Sequence, residues 1–147
     1  MVYELIVRNV LRQLGIGRCY NGYDYIVHAT GLMFFDERFF TCITKILYAT
    51  VAENCDTSSL CVEKNIRKVI QIIWDNPDNK ELIKRFFGSR YIHTKPSNKD
   101  FLGLLYDYAK SYNIFEEIFH VDKIICPISE DVCNVCANIV DVLRNCQ

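Results

Sequence analysis

Between residues 55 and 74 the apolar and polar positions separate onto two sides of a helix. In CDTSSLCVEKNIRKVIQIIW, Val62, Ile66, Val69 and Ile73 fall at i, i+4, i+7 and i+11, while Lys64, Arg67, Lys68 and Gln71 gather opposite them. The first set predicts a face packed into a core. The second is either the solvated face of an ordinary amphipathic helix, which is the commoner case, or a surface that enters a groove. Thr57, Ser58 and Ser59 bring hydroxyls that accept from the orphan backbone N–H groups of a helix start, so the helix begins within that triplet. Just upstream, in ITKILYATVAENC, Ile43, Ile46, Leu47, Val51 and Ala52 mark a short preceding helix, and Asp56 and Thr57 occupy a turn of three to four residues. Short helix, tight polar turn and longer basic helix is the order of a helix-turn-helix. Steeply crossed helix pairs also occur in small domains that bind no nucleic acid.

The rest of the chain predicts helices and almost no strand. Residues 2–14 form an amphipathic helix closed by Gly15 and Gly17, residues 22–35 a second helix rich in aromatics, and residues 39–54 lead into the first helix of the pair. Asp75, Asn76 and Pro77 stop the basic helix. A short helix over 80–87 ends at Gly88, a loop over 89–98 contains Lys95 and Pro96, and a further helix runs from Lys99 or Asp100 to about Tyr112. In the tail, Ser129, Glu130 and Asp131 resemble a helix start, and Val132, Val135, Ile139, Val142 and Leu143 line one apolar face. That face either packs on its own domain or forms a dimer or partner surface. No repeat period and no low-complexity run appears. The predicted class is all-α: a compact multi-helix domain over 1–112 containing the helix-turn-helix, and a C-terminal extension over 113–147 with one amphipathic helix.

A chain of 147 residues buries about two-thirds of the surface its unfolded form exposes, enough for a core without disulfide or metal staples. Half of it is hydrophobic and the formal charge is −1, as in a soluble globular protein. Glu4, Arg8 and Arg12 interrupt the apolar N-terminus and no long apolar run occurs elsewhere, so neither a signal peptide nor a membrane span is expected, which implies a cytoplasmic protein. The near-zero charge hides an asymmetry. From Lys64 to Lys99 nine Lys or Arg stand against three acids, whereas from Asn113 onward six acids stand against Lys123 and Arg144. A basic block of this kind suits phosphate neutralisation, and the acidic tail is suited to compete with DNA for it.

LRQLGI, NGYDYIVHA, the long segment ITKILYATVAENCDTSSLCVEKNIRKVIQIIW, RFFG and TKPSNKDFLGLLYDYA together resemble, in order and spacing, the C-terminal DNA-binding effector domain of the sporulation stage zero protein A family of response regulators. The resemblance covers about residues 7–110. It implies a compact helical effector domain that binds a short operator with a TGTCGAA-like core, commonly as a tandem dimer, and touches RNA polymerase sigma factor. The family's recognition helix falls on residues 58–74, and its base-reading and phosphate-contacting places are occupied by Cys61, Glu63, Lys64, Arg67 and Lys68. Thr94, Lys95, Ser97 and Asn98 resemble its backbone-contacting loop, which otherwise reads as a solvated turn with a helix cap at Ser97 or Asn98. With Ser58, Ser59 and Gln71 these make up the candidate DNA-binding set. Two places depart from the family. Cys61 and Lys64 stand where arginines are usual; an arginine fork grips both acceptors of guanine, a lysine acts as a point charge, and a cysteine does neither. Glu63 either accepts from cytosine N4 or pairs with Arg67 one turn on. The family's regulators also carry a phosphoacceptor receiver domain, whose acidic pocket this sequence lacks, so the chain is either a fragment or a stand-alone relative controlled in another way.

Eight cysteines raise the question of metal. Cys126, Cys133, Cys136 and Cys146 include one C-x2-C pair, but within a helical pattern and without zinc-finger spacing. Cys19, Cys42, Cys55 and Cys61 read as small buried hydrophobes, with Cys61 alternatively a surface thiol. His28, His93 and His120 are far apart, and no phosphate-cradling glycine loop, carboxylate pair or HExxH is present. No metal, cofactor, small-molecule substrate or enzymatic activity is expected. The expected function is a sequence-specific duplex-DNA-binding transcription regulator; the alternative is a protein-interaction module with a decayed reading helix that pairs with a regulator or a sigma factor.

Overall fold

Helix α1, Val2–Gln13, buries Ile6, Val7, Val10 and Leu11 and stops where a glycine turns the chain. Gly15 takes a left-handed conformation (φ +83°), the Gly15 N–H donates to the Arg12 carbonyl (3.1 Å) and the Ile16 N–H donates to the Leu11 carbonyl (2.9 Å). This pair of bonds satisfies two orphan carbonyls, and Leu11 and Ile16 are both buried at the join. The computed structural model describes residues 2–119, which hold no strand. Residues 1–110 form one compact unit and a second begins at Ser111. The amphipathic helix expected over the tail lies outside the described residues, as does the Cys126 to Cys146 group.

Helix α2, Asn21–Phe35, buries Tyr23, Ile26, Val27, Ala29, Thr30 and Met33. The buried Thr30 hydroxyl donates back to the carbonyls of Ile26 (2.9 Å) and Val27 (3.0 Å), so it brings no unsatisfied group into the core. At its N-terminal end Gly22 lies against the backbone of the basic helix.

The helix expected over 39–54 is broken. A single turn, α3 (Arg38–Thr41), ends at Cys42, whose φ −118° and ψ 52° are not helical. A π-helical turn, Ile43–Leu47, follows, in which the Cys42 carbonyl accepts from both Ile46 and Leu47 and the Tyr48 N–H reaches back to Ile43. Only then does α4, Tyr48–Asn54, begin. Ile43, Leu47, Tyr48, Val51 and Ala52 are buried, but Ile46, expected on the same stripe, is 42% exposed. The extra residue in the wide turn shifts the helical phase and carries Ile46 outward.

Residues 55–58 join α4 to α5, Ser59–Asp75. The Asp56 N–H donates to Glu53 and the Thr57 N–H to Ala52 (2.9 Å), the same closure as after α1, but Asp56 (φ +53°) does what Gly15 does there. A left-handed residue other than glycine costs roughly 1 kcal/mol, and the Asp56 side chain is exposed to solvent. Asp56→Gly is therefore expected to raise stability by about 0.5 kcal/mol after the entropy of the unfolded glycine is subtracted. Urea melts of the two proteins check this; a clear loss of stability in the variant would contradict the left-handed turn.

Helix α5 starts as expected: the Ser58 hydroxyl accepts from the Cys61 N–H (3.2 Å). Val62, Ile66, Val69 and Ile73 are all buried, joined by Ile70. The Asn76 side chain and Pro77 end it in a 3₁₀ turn, Pro77–Asn79. The buried Asn79 amide donates to the carbonyls of Leu14 and Ile73 (both 3.1 Å), tying the ends of α1 and α5 together. Helix α6, Lys80–Phe87, buries Ile83, Phe86 and Phe87 and closes at Gly88 (φ +92°). The loop expected next contains a 3₁₀ turn, Ser89–Ile92, held to α5 by the Trp74 indole N–H donating to the Tyr91 carbonyl (2.8 Å). Helix α7, Asn98–Phe119, buries Phe101, Leu102, Leu105 and Ala109. It continues past the expected end near Tyr112 because residues 112–119, YNIFEEIF, contain no glycine or proline to stop it. No helix among the described residues is long and apolar enough to cross a membrane.

Candidate nucleic-acid interface

The outward face of α5 is set by its inward one. With five apolar side chains on the core side, Lys64, Arg67, Lys68 and Gln71 are left exposed on the other. Among the sequence-predicted residues on this helix, Ser58 is engaged as the cap. Ser59 is half-buried, and Cys61 is half-buried beneath Asn65, whose amide donates to the Cys61 carbonyl (2.9 Å) and contacts its Sγ (3.3 Å). Glu63 and Arg67 form an ion pair one turn apart, with the Arg67 side chain 64% exposed. Such a pair contributes about 0.3–0.5 kcal/mol, too little to withhold the guanidinium from a phosphate or a base edge.

The loop after α6 meets this face. Lys95 Nζ donates to Gln71 Oε1, and Gln71 Nε2 in turn donates to Asp75 Oδ1 (2.6 Å). Asn98 Nδ2 donates to the Glu63 backbone carbonyl (3.0 Å), fixing the start of α7 against the N-terminal third of α5. The cap of α7 is Ser97, whose hydroxyl accepts from the Asp100 N–H (3.1 Å) and donates to the Asp100 carboxylate (2.7 Å). Thr94 is exposed.

Between these elements runs an open groove of about 770 Å³ lined by Thr41, Cys42, Ile43, Lys45 and Tyr48 on one side, Glu63 and Arg67 on another, and residues 95–99 on the third. Four of the lining residues are cationic: Lys45, Arg67, Lys95 and Lys99. Tyr48 is buried, and that burial pushes its phenol up from the usual range; the Asn98 side chain, hydrogen-bonded to it, pulls the other way. Lys64 and Lys68 lie on the exposed face of α5 outside the groove lining. Sequence reasoning had not placed Lys45, Tyr48 or Lys99 at the site. Lys99 was visible only as one charge of the basic block, and Lys45 lies outside that block altogether.

The cysteines differ from expectation. Cys19 and Cys42 are exposed and Cys55 and Cys61 half-buried, because Cys19 falls in the connection between α1 and α2 and Cys42 at the break after α3, where no core covers them. Burial raises the Cys55 thiol above its ordinary value. Among the described residues no three His, Cys, Asp or Glu side chains converge to hold a metal ion. Residues 7–109 match the model of the family described as sporulation initiation factor Spo0A C terminal.

Proposed function

The chain belongs to the sporulation initiation factor Spo0A C-terminal family, and on that footing we propose that it reads duplex DNA through a helix-turn-helix made of α4 and α5. The family is one of DNA-binding regulator domains and not of enzymes. The observation that carries the finer reading is the union of two cationic surfaces: Lys64, Arg67 and Lys68 on the free face of α5, and Lys45, Lys95 and Lys99 on the elements beside it. A helix presented this way enters the major groove with flanking loops on the phosphates. Arg67 and Lys64 supply base-edge contacts, and Lys68, Thr94, Lys95 and Lys99 supply phosphate contacts. Ser58 and Ser97, whose hydroxyls cap helices, position the backbone N–H groups around them. Cys61 brings no fork for guanine, so the preferred sequence departs from one read by two arginines.

A second copy on tandem sites and a sigma factor are the protein partners that this reading brings with it, and the cytoplasm is where it operates. The second reading, an interaction module, draws on Cys61. It predicts no preference among duplexes. Binding of the purified chain to a labelled duplex with a TGTCGAA-like element, and to a scrambled one, separates the two. Arg67→Ala is expected to weaken binding to the element by about 1–3 kcal/mol, roughly 5- to 150-fold, and to shrink the preference. Equal, mutation-insensitive binding to both duplexes, or none to either, removes the regulator reading.

A further inference from the structure

We propose that Leu60 is a specificity residue that reads the C5-methyl group of a thymine, an inference resting on the DNA-reading role of α5. Leu60 is 74% exposed, in the first turn of a helix whose opposite face is fully apolar and buried. At about 100° per residue it projects within about 40° of Lys64, Arg67 and Gln71, inside the angular range of the cationic stripe and about one turn N-terminal to Lys64. No structural duty accounts for a leucine there. Ser58 caps the helix, and Leu60 lies two residues past that cap, so it takes no part in the apolar clasp between the residues before the cap and four past it. The other exposed large apolar side chains, Val2, Leu5, Phe35 and Ile46, lie on other elements.

The chemistry of the neighbourhood narrows the occupant. A surface that presents an apolar tip at the N-terminal end of a row of cations, Lys64, Arg67 and Lys68, fits a partner that is anionic with apolar points, and the major groove offers the thymine methyl as its apolar group between rows of phosphate. The N-terminal residues of a groove-docked helix are those that reach base edges. Leucine, with no donor or acceptor, distinguishes thymine from the other three bases only by that methyl.

The test begins with selection of bound sequences from a random duplex pool by the full chain. Each thymine in the selected site is then replaced singly by deoxyuridine, which keeps the pairing and removes the methyl. One position is expected to lose about four-fold in affinity, the worth of one buried methyl-sized group. Leu60→Ala is expected to bind the thymine duplex about as weakly as the parent binds the uracil one, and to be indifferent to the replacement, with an unchanged salt slope. Melting curves verify that this exposed substitution leaves the fold intact. A uracil penalty that persists in Leu60→Ala, or no uracil-sensitive position, overturns the role of Leu60 and leaves the DNA reading standing. Failure to enrich any sequence overturns both.

Discussion

Replacing Lys64, Arg67 and Lys68 together with alanine is expected to weaken duplex binding by roughly two to three orders of magnitude at 0.1 M salt. Each phosphate neutralised by a cation contributes about 0.9 to the slope of log affinity against log salt. Lys68 is the phosphate contact among the three, so its removal flattens the slope by about 0.9 and takes about 0.9 of a decade of affinity at 0.1 M salt; loss of the base contacts of Lys64 and Arg67, at about 1 kcal/mol or more each, supplies the remainder. The fold is not at issue, because all three residues are exposed and surface substitutions of this kind change stability by about 0.5 kcal/mol or less. Lys80, Lys84 and Arg85 provide a charge-matched control: they are exposed on α6, outside the groove, and their triple replacement removes the same net charge. Titrations at several salt concentrations distinguish the two. If both triple variants lose the same small amount, affinity comes from diffuse charge and α5 has no privileged face.

Why α5 was legible in the sequence while its surroundings were not follows from the range over which each feature is encoded. The burial of Val62, Ile66, Val69 and Ile73 and the cap at Ser58 are local, written in a 3.6-residue period and one hydroxyl. The hydrogen bonds that complete the site join distant parts of the chain. Asn98 to the Glu63 carbonyl spans 35 residues and Lys95 to Gln71 spans 24, and no periodicity records either. The break at Cys42 was hidden for a different reason: Ile43, Ile46 and Leu47 have helical spacing whether the turn is α or π, so the pattern continues through a change of phase that exposes Ile46 and presents Lys45 to the groove. Asp56 is the intermediate case. Its place in a turn was readable, but its left-handed backbone was not, since the commoner residue for that conformation is glycine.

The position of α5 depends on a glycine that carries none of the chemistry. A Cβ built on Gly22 would lie 2.5 Å from the Asn65 carbonyl oxygen and 2.6 Å from Val69 Cγ2, so Gly22→Ala cannot be accommodated by a rotamer change alone. The obstacle at Asn65 is backbone. α2 and α5 must separate, and forcing an extra methyl into a packed interior costs about 1–3 kcal/mol or more. A substitution from glycine inside a helix also recovers up to about 1 kcal/mol; the clash exceeds it, and a net loss near 2 kcal/mol lowers Tm by about 8 °C for a unit of this size. Gly17→Ala makes the same chemical change where nothing stands within 4 Å, and is expected to leave Tm nearly unmoved. The functional consequence follows from where α2 touches. Asn65 and Val69 are flanked on the same helix by Lys64, Arg67 and Lys68, so pushing that backbone outward shifts the reading face relative to the loop cations at Lys95 and Lys99. Gly22→Ala is therefore expected to lose duplex affinity even well below its melting temperature, with the largest loss on the preferred sequence, whose base contacts demand the tighter geometry. A variant that melts with the parent would show that α2 and α5 do not approach as closely as their shared glycine contact requires.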